Sequence, residues 1–142
     1  VNVRQAEQAV YAGAEFIVGP GWSDSVAEFC EASSVPYLPG CVTPTEIIRA
    51  LDKGINIVKF FPASVYGGLK AIKALAAPFV GVKFVPTGGV NALNLAEYLA
   101  CDKIYAVGGS WMVDGKLVAE KRFDEIERLS REAAAIAATV RP

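Results

Sequence analysis

The chain has 142 residues, of which 53% are hydrophobic and 20% are charged, and its formal net charge is −1. This length suits one domain with a buried core. The nearly balanced charge leaves no basic stripe for nucleic acid, and no apolar run is long enough to span a membrane. The sequence has no histidine, which argues against a zinc site and leaves acid–base chemistry to a carboxylate, a lysine, a tyrosine or water.

The sequence also bears on where the protein works. Residues 1–5 lack the basic start, apolar centre and cleavage site of a signal peptide. The cysteines Cys30, Cys41 and Cys101 are odd in number and have no metal-type spacing. We therefore expect reduced thiols in a cytoplasmic protein.

Helix and strand patterns alternate along the chain. The predicted strands are short apolar runs at residues 16–18, 35–38, 56–63, 82–85 and 104–107. The predicted helices begin at capping or glycine signals, namely Asn2, Ser23 or Asp24, Thr43, Gly67 with Gly68, and Asn91, and a last helix carries Phe123 to Ile136. The start at Thr43 is the strongest, because Pro44 can occupy the first helical position and Glu46 can complete a capping box.

This rhythm predicts an α/β fold with a parallel sheet and right-handed crossovers. A doubly wound open sheet and a closed (β/α)₈ TIM barrel both fit. Nearly every predicted strand runs into glycine or proline at its C-terminal end, where barrel enzymes build their sites, so we favour the barrel. Complete barrels rarely run below roughly 200 residues, and this chain offers about five βα units and opens on a helix. We therefore expect residues 1–142 to be the C-terminal portion of a single barrel domain, with the first strands absent.

One lysine lies in the middle of an apolar strand. Alternation puts Ile57, Lys59 and Phe61 on one face and Val58 and Phe60 on the other. Burial disfavours the ammonium form and lowers the pKa of a lysine, so Lys59 could supply a free amine that attacks a ketone to form a Schiff base. The alternative is a strand-end lysine with a buried stem and a head that reaches water.

Two glycine-rich turns follow the last two predicted strands, at residues 87–89 and 108–110. In barrel order these are the loops after strands seven and eight, which commonly bind phosphate through backbone N–H groups. Glycine lets the backbone approach a phosphate closely, and Thr87 and Ser110 can add hydroxyl donors. The pair of turns therefore predicts a phosphate site.

The stretches KFFPA (59–63), GGLKA (67–71), PTGGV (86–90) and GGSW (108–111) resemble the class I 2-keto-3-deoxy-6-phosphogluconate (KDPG) aldolases. That family overlaps with the 4-hydroxy-2-oxoglutarate (KHG) aldolases. The resemblance covers the whole chain but only about two thirds of a family member, judged by barrel size. It implies reversible cleavage of KDPG to pyruvate and glyceraldehyde 3-phosphate, or of KHG to pyruvate and glyoxylate, with no cofactor or metal.

The resemblance also assigns site residues. Lys59 matches the Schiff-base lysine, Pro39 and Gly40 match a position in the site wall, and Phe61 packs beside the lysine. The remaining matched residues surround the pyruvyl group and the phosphate: Thr87, Gly88 and Gly89 in the first loop, and Gly108, Gly109 and Ser110 in the second.

Cleavage also needs a general base for the substrate hydroxyl proton. No carboxylate is predicted at the C-terminal end of a strand, because the acidic residues fall on helices, at caps, before strands or beyond the last glycine turn. The resemblance places the base, a glutamate, on an early strand, with an arginine and a threonine for the pyruvate carboxylate. We expect all three upstream of Val1.

Two other functions fit parts of the pattern. A phosphosugar isomerase or epimerase on a similar barrel would use the same phosphate loops but needs no imine lysine, so Lys59 argues against it. A barrel fragment that serves as a structural or assembly unit would explain the missing base and strands. The expected partner of the aldolase is a small phosphorylated keto acid, with no nucleic acid and no membrane, and the resemblance implies a homotrimer.

Overall fold

Short parallel strands alternate with helices in the computed structural model, which describes residues 2–141. The strands are β1 (Ile17–Val18), β2 (Tyr37–Leu38), β3 (Ile57–Phe60) and β4 (Lys83–Pro86). The helices are α1 (Val3–Tyr11), α2 (Asp24–Ala32), α3 (Pro44–Asp52), α4 (Gly68–Ala76), α5 (Leu95–Ala100), α6 (Gly115–Ala119) and α7 (Phe123–Val140), and a 3₁₀ helix (Trp111–Val113) lies between α5 and α6. None of the helices in this range combines the length and apolarity needed to cross a membrane.

The strands lie side by side in chain order. β1 pairs with β2, and β3 pairs with β4, both in parallel. A parallel bridge between Gly40 and Lys59 joins β2 to β3, and bridges of Phe84 with Ile104 and of Thr87 with Gly108 continue the order beyond β4. The C-terminal ends of all these strands therefore meet at one edge, as in the predicted parallel sheet.

The core lies between the sheet and the helices. Val58, Phe60 and Phe84 are at most 1% exposed and pack with Ile47 of α3 and Ile72 of α4. The other face of β3, which carries Lys59, is partly exposed. The face of β3 that carries Lys59 is therefore less buried than the face that carries Val58 and Phe60.

The segment 104–107, predicted as a fifth strand, makes one isolated bridge, at Ile104, and no strand. The Tyr105 N–H donates to the Phe84 carbonyl at 2.8 Å. The next ladder bond would run from residue 86 to the Tyr105 carbonyl, but Pro86 has no N–H. Pairing resumes when the Gly108 N–H donates to the Pro86 carbonyl at 3.0 Å, one residue later than the regular register, as in a β-bulge. The proline therefore interrupts the strand that the apolar pattern predicted.

The helix starts follow the predicted caps in three cases. The side chains of Asn2, Ser23 and Thr43 each accept a hydrogen bond from a backbone N–H in the first turn, and Thr43 forms the full capping box. The predicted cap at Asn91 is wrong, because α5 begins later with Asn94 as its N-cap. The Asn94 side chain accepts from the Asn91 N–H, so the two asparagines form a turn ahead of the helix.

Candidate active site

Lys59 lies near the C-terminal end of β3, between β2 and β4. Its backbone N–H donates to the Pro39 carbonyl at 2.8 Å, and the Cys41 N–H donates to the Lys59 carbonyl at 2.9 Å. On the other side, Lys59 is in register with Val85 of β4. The structure thus brings the predicted wall residues, Pro39 and Gly40, directly beside the lysine.

The lysine head is partly shielded by an aromatic ring. Lys59 Nζ lies 4.9 Å from the centroid of the Phe61 ring, and Phe61 itself is 37% exposed. Burial lowers the pKa of Lys59. Among residues 2–141, no carboxylate lies within ion-pair distance of Lys59, so no opposite charge offsets that effect. The site therefore favours the free amine more than water does.

A pH dependence follows from the lowered pKa of Lys59. We expect the rate of imine formation with pyruvate to rise with pH through a midpoint below the ordinary lysine value of about 10.4, because the amine is the nucleophile. Between the two pKa values the unfolded chain binds more protons, so this lysine makes the free energy of unfolding increase with pH across that window. Borohydride trapping from neutral to alkaline pH measures the rate, with the exposed Lys73 as an internal reference. A midpoint at the ordinary value would contradict the prediction.

The loop after β4 is hydrogen-bonded to the loop after β3. The Ala63 N–H donates to the Thr87 carbonyl at 2.8 Å, and the Ser64 N–H donates to the Gly88 carbonyl at 3.0 Å. Gly88 has a φ of +85°, and a Cβ there would lie 3.2 Å from the Phe61 ring. Glycine at position 88 therefore allows the loop after β4 to pack closely against the ring that faces Lys59.

Thr87 carries a buried hydroxyl at the same edge. Its Oγ1 has no hydrogen-bond partner within residues 2–141. The threonine methyl faces the second glycine turn, because a Cβ on Gly108 would lie 2.8 Å from Thr87 Cγ2. A buried hydroxyl without a partner costs free energy in the absence of a ligand, so this atom is a candidate substrate contact.

Replacing Thr87 with valine should separate stability from binding. The substitution keeps the shape and removes the unpaired hydroxyl, so we expect the free energy of unfolding to stay the same or rise by up to about 1 kcal/mol. We expect affinity for the substrate to fall about tenfold if the hydroxyl bonds to it. Urea denaturation and ligand titration test the two parts. Thr45→Val, at an exposed site in α3, is the control, and unchanged ligand affinity in Thr87→Val would contradict the assignment.

The second glycine turn offers two amides. The Gly108 N–H donates to the Pro86 carbonyl, so this amide is not free to bind a phosphate. Neither Gly109 nor Ser110 donates its N–H to another backbone group in the described part of the chain. A Cβ on Gly109 would fall 1.9 Å from the Trp111 ring, so a side chain at this position would force the ring to move. The exposed amides of Gly109 and Ser110 are therefore the candidate phosphate donors of this turn.

Sequence reasoning missed two residues that shape the site. A Cβ on Gly89 would lie 2.4 Å from Ser64 Oγ, so Ser64 limits what can occupy the first glycine turn. Pro20, in the loop after β1, lies against Gly40, where a Cβ would fall 2.1 Å from the Pro20 carbonyl oxygen. No sequence signal links these pairs, because each contact joins two different βα loops.

The carboxylate nearest in sequence to the site wall is committed to a helix cap. Glu46 Oε2 accepts from the N–H groups of Val42 at 2.8 Å and Thr43 at 2.9 Å, and from the Thr43 hydroxyl at 2.9 Å. This arrangement agrees with the sequence-based assignment of Glu46 to a helix start. Because the Glu46 carboxylate is held in this cap, it does not act as an acid–base partner for Lys59.

The comparison with protein families agrees with these motifs. The family described as KDPG and KHG aldolase matches residues 1–129. The chain belongs to this aldolase family. The family resemblance drawn from the lysine strand and the glycine turns is therefore confirmed.

Individual aldolases are similar over nearly the whole chain. The 2-dehydro-3-deoxy-phosphogluconate aldolase of Treponema pallidum is 47% identical over 93% of this chain and 63% of its own length. The KHG/KDPG aldolase of Escherichia coli is 37% identical over 94% of this chain and 62% of its own length. The chain thus spans less than two thirds of these curated relatives.

Solved aldolase structures share the fold. The KDPG aldolase from Legionella pneumophila, captured with pyruvate as a covalent carbinolamine intermediate, has a TM-score of 0.88 at 34% identity and covers 96% of this chain and 65% of its own. The aldolase of Zymomonas mobilis, solved with 3-phosphoglycerate, has a TM-score of 0.88 at 37% identity and covers 96% of this chain and 64% of its own. The fold of this chain is therefore α/β and TIM-barrel-like, as the strand endings predicted.

Proposed function

We propose that this chain carries the nucleophile and phosphate side of a class I aldolase site that cleaves KDPG to pyruvate and glyceraldehyde 3-phosphate, and KHG to pyruvate and glyoxylate. The observation that carries the proposal is the position of Lys59. Its amine has a lowered pKa and lies over the Phe61 ring, and the loop that follows its strand is hydrogen-bonded to the first glycine turn. The pyruvate carbinolamine in the Legionella relative and the 3-phosphoglycerate in the Zymomonas relative support both parts of this site.

The reaction begins at the amine of Lys59. Nζ attacks the C2 carbonyl of the keto acid, and loss of water from the carbinolamine gives an iminium ion. The C3–C4 bond then breaks, and its electron pair moves toward the iminium nitrogen to form an enamine. The C4 hydroxyl proton passes to a general base, and the aldehyde leaves. Protonation of the enamine at C3 and hydrolysis of the imine release pyruvate and return the free amine.

The two glycine turns position the substrate. The amides of Gly109 and Ser110 would hold the phosphate, and the Thr87 hydroxyl would bond to the substrate beside Lys59. Gly88 and Gly89 let their loop pack closely against Phe61 and Ser64 in the loop after β3. Binding energy at a phosphate remote from the breaking bond can then be used to orient C2 toward the amine.

We infer that this chain forms the C-terminal part of one barrel domain and that the base lies on another part of that domain. The share of the relatives that the chain spans supports this division, as does the absence of a carboxylate within ion-pair distance of Lys59 in residues 2–141. The domain is proposed to work in the cytoplasm as a homotrimer. Its cysteines are free and buried.

The two alternatives gain less support. An isomerase or epimerase would leave a lysine of lowered pKa without a role. A catalytically incomplete assembly unit remains the competing non-enzyme function. Supplying the part of the Treponema pallidum relative that this chain does not span, followed by a pyruvate-release assay, separates it from the aldolase. Recovery of activity would support the aldolase, and a folded complex without activity would support the assembly unit.

The experiment that tests the proposal traps the imine. The chain is incubated with pyruvate and reduced with borohydride, and the modified peptide is identified by mass spectrometry. We expect one reduced pyruvate adduct on Lys59. An adduct on a different lysine, or no adduct on the folded chain, would overturn the assignment.

A further inference from the structure

The guanidinium of Arg141 binds a row of backbone carbonyls just ahead of the phosphate turn. Nε donates to the Leu99 carbonyl at 2.8 Å, and Nη1 donates to the Tyr105 carbonyl at 2.9 Å. Nη2 donates to the carbonyls of Cys101 at 3.2 Å and Ile104 at 2.7 Å. One side chain thus ties the end of α5 to the segment that leads into Gly108.

Two of these carbonyls need an outside donor because of the local backbone. The carbonyl of Tyr105 would accept from residue 86 in a regular ladder, but Pro86 has no N–H. The carbonyl of Leu99 belongs to the last turn of α5, where helical carbonyls have no partner further along the helix. Lys83 Nζ acts in the same way, because it donates to the Asp102 carbonyl. Side-chain cations therefore replace backbone donors that the sequence cannot supply.

Helix α7, which ends directly before Arg141, contacts the other side of the turn. α7 packs against α5 and against the 3₁₀ helix that directly follows Ser110. Ile136, Ala137, Val140 and Trp111 pack against the same core cluster. The loop 108–110 is therefore held on its N-terminal side by the guanidinium and on its C-terminal side by apolar packing.

We propose that Arg141 is a positioning residue for the loop 108–110. It fixes the bulge created by Pro86 and so orients the amides of Gly109 and Ser110 toward a phosphate group. This proposal rests on the proposed function, which supplies the phosphate. Arg141 lies beyond residues 1–129, the range that the aldolase family matches, so the family match does not assign it a role.

The test compares phosphate binding with imine formation in the whole chain. Inorganic phosphate is titrated while the amide NMR signals of Gly109 and Ser110 are followed, and the Lys59 adduct with pyruvate is measured in parallel. In Arg141→Gln we expect the Kd for phosphate to rise about tenfold, because several charge-assisted hydrogen bonds are lost, with adduct formation within about twofold of the wild type. Arg131→Gln, at an exposed site in α7, is the matched control and should change neither measurement.

Two further variants separate positioning from general stability. Arg141→Lys retains the charge but not the fork of donors, so we expect an intermediate Kd. Pro86→Ala supplies an N–H toward the Tyr105 carbonyl, so the double variant with Arg141→Gln should regain part of the affinity lost by Arg141→Gln alone.

Equal phosphate affinity in wild type and Arg141→Gln would overturn the role of Arg141 alone. A wild-type chain that forms the Lys59 adduct but gives no phosphate response would overturn the phosphate site together with this role. Loss of both readouts in Arg141→Gln would overturn the positioning role in favour of a purely structural one.

Discussion

Lys59→Met should abolish the borohydride-trapped pyruvate adduct while the chain stays folded. The substitution removes the amine that lies over the ring of Phe61, on the strand residue that is bridged to Gly40. Methionine has a similar length and no charge to desolvate, so we expect the free energy of unfolding to stay the same or increase. Intact-mass spectrometry measures the adduct, and urea denaturation measures stability.

The matched control for this prediction is Lys73→Met. Lys73 is exposed in α4, and its replacement should leave the adduct unchanged. An adduct that persists in Lys59→Met at the wild-type level would assign the nucleophile to another lysine. Loss of the adduct in both variants would point to a fault in folding and would remove the evidence for a specific amine.

Gly40→Ala should destabilise the chain more than any other glycine substitution at the wall of the site. The new Cβ would lie 2.1 Å from the carbonyl oxygen of Pro20 and 2.6 Å from the backbone nitrogen of Gly21. Both are backbone atoms that cannot rotate away, so the loop after β1 must move. We expect a loss of about 3 kcal/mol in the free energy of unfolding, measured in urea.

A control glycine distinguishes this clash from the general effect of adding a methyl group. Gly81 has no atom within 4 Å of an added Cβ, and its φ lies outside the left-handed region. Gly81→Ala should therefore change the free energy of unfolding by less than about 0.5 kcal/mol. A similar small change in Gly40→Ala would contradict the close approach of the two loops.

Local sequence rules predicted most of the elements. Asn2, Ser23 and Thr43 cap helices because a short polar side chain can reach an N–H one turn ahead. Val58 and Phe60 are buried together because side chains alternate along a strand. The fifth strand is not formed because Pro86 lacks the N–H that the ladder needs. The helix predicted to start at Asn91 begins later, because Asn91 and Asn94 form a hydrogen-bonded turn ahead of it.

The sequence by itself determined the lysine in its apolar strand, the glycine turns, the order of βα units and the family. These features depend on residues that are neighbours along the chain, so their pattern is readable directly. The tertiary structure decided which loops touch. It placed Pro20 against Gly40, Ser64 against Gly89 and the guanidinium of Arg141 over carbonyls that lie about forty residues earlier in the chain. Contacts of this kind arise from the packing of whole strands and helices, and the local order of residues does not encode them.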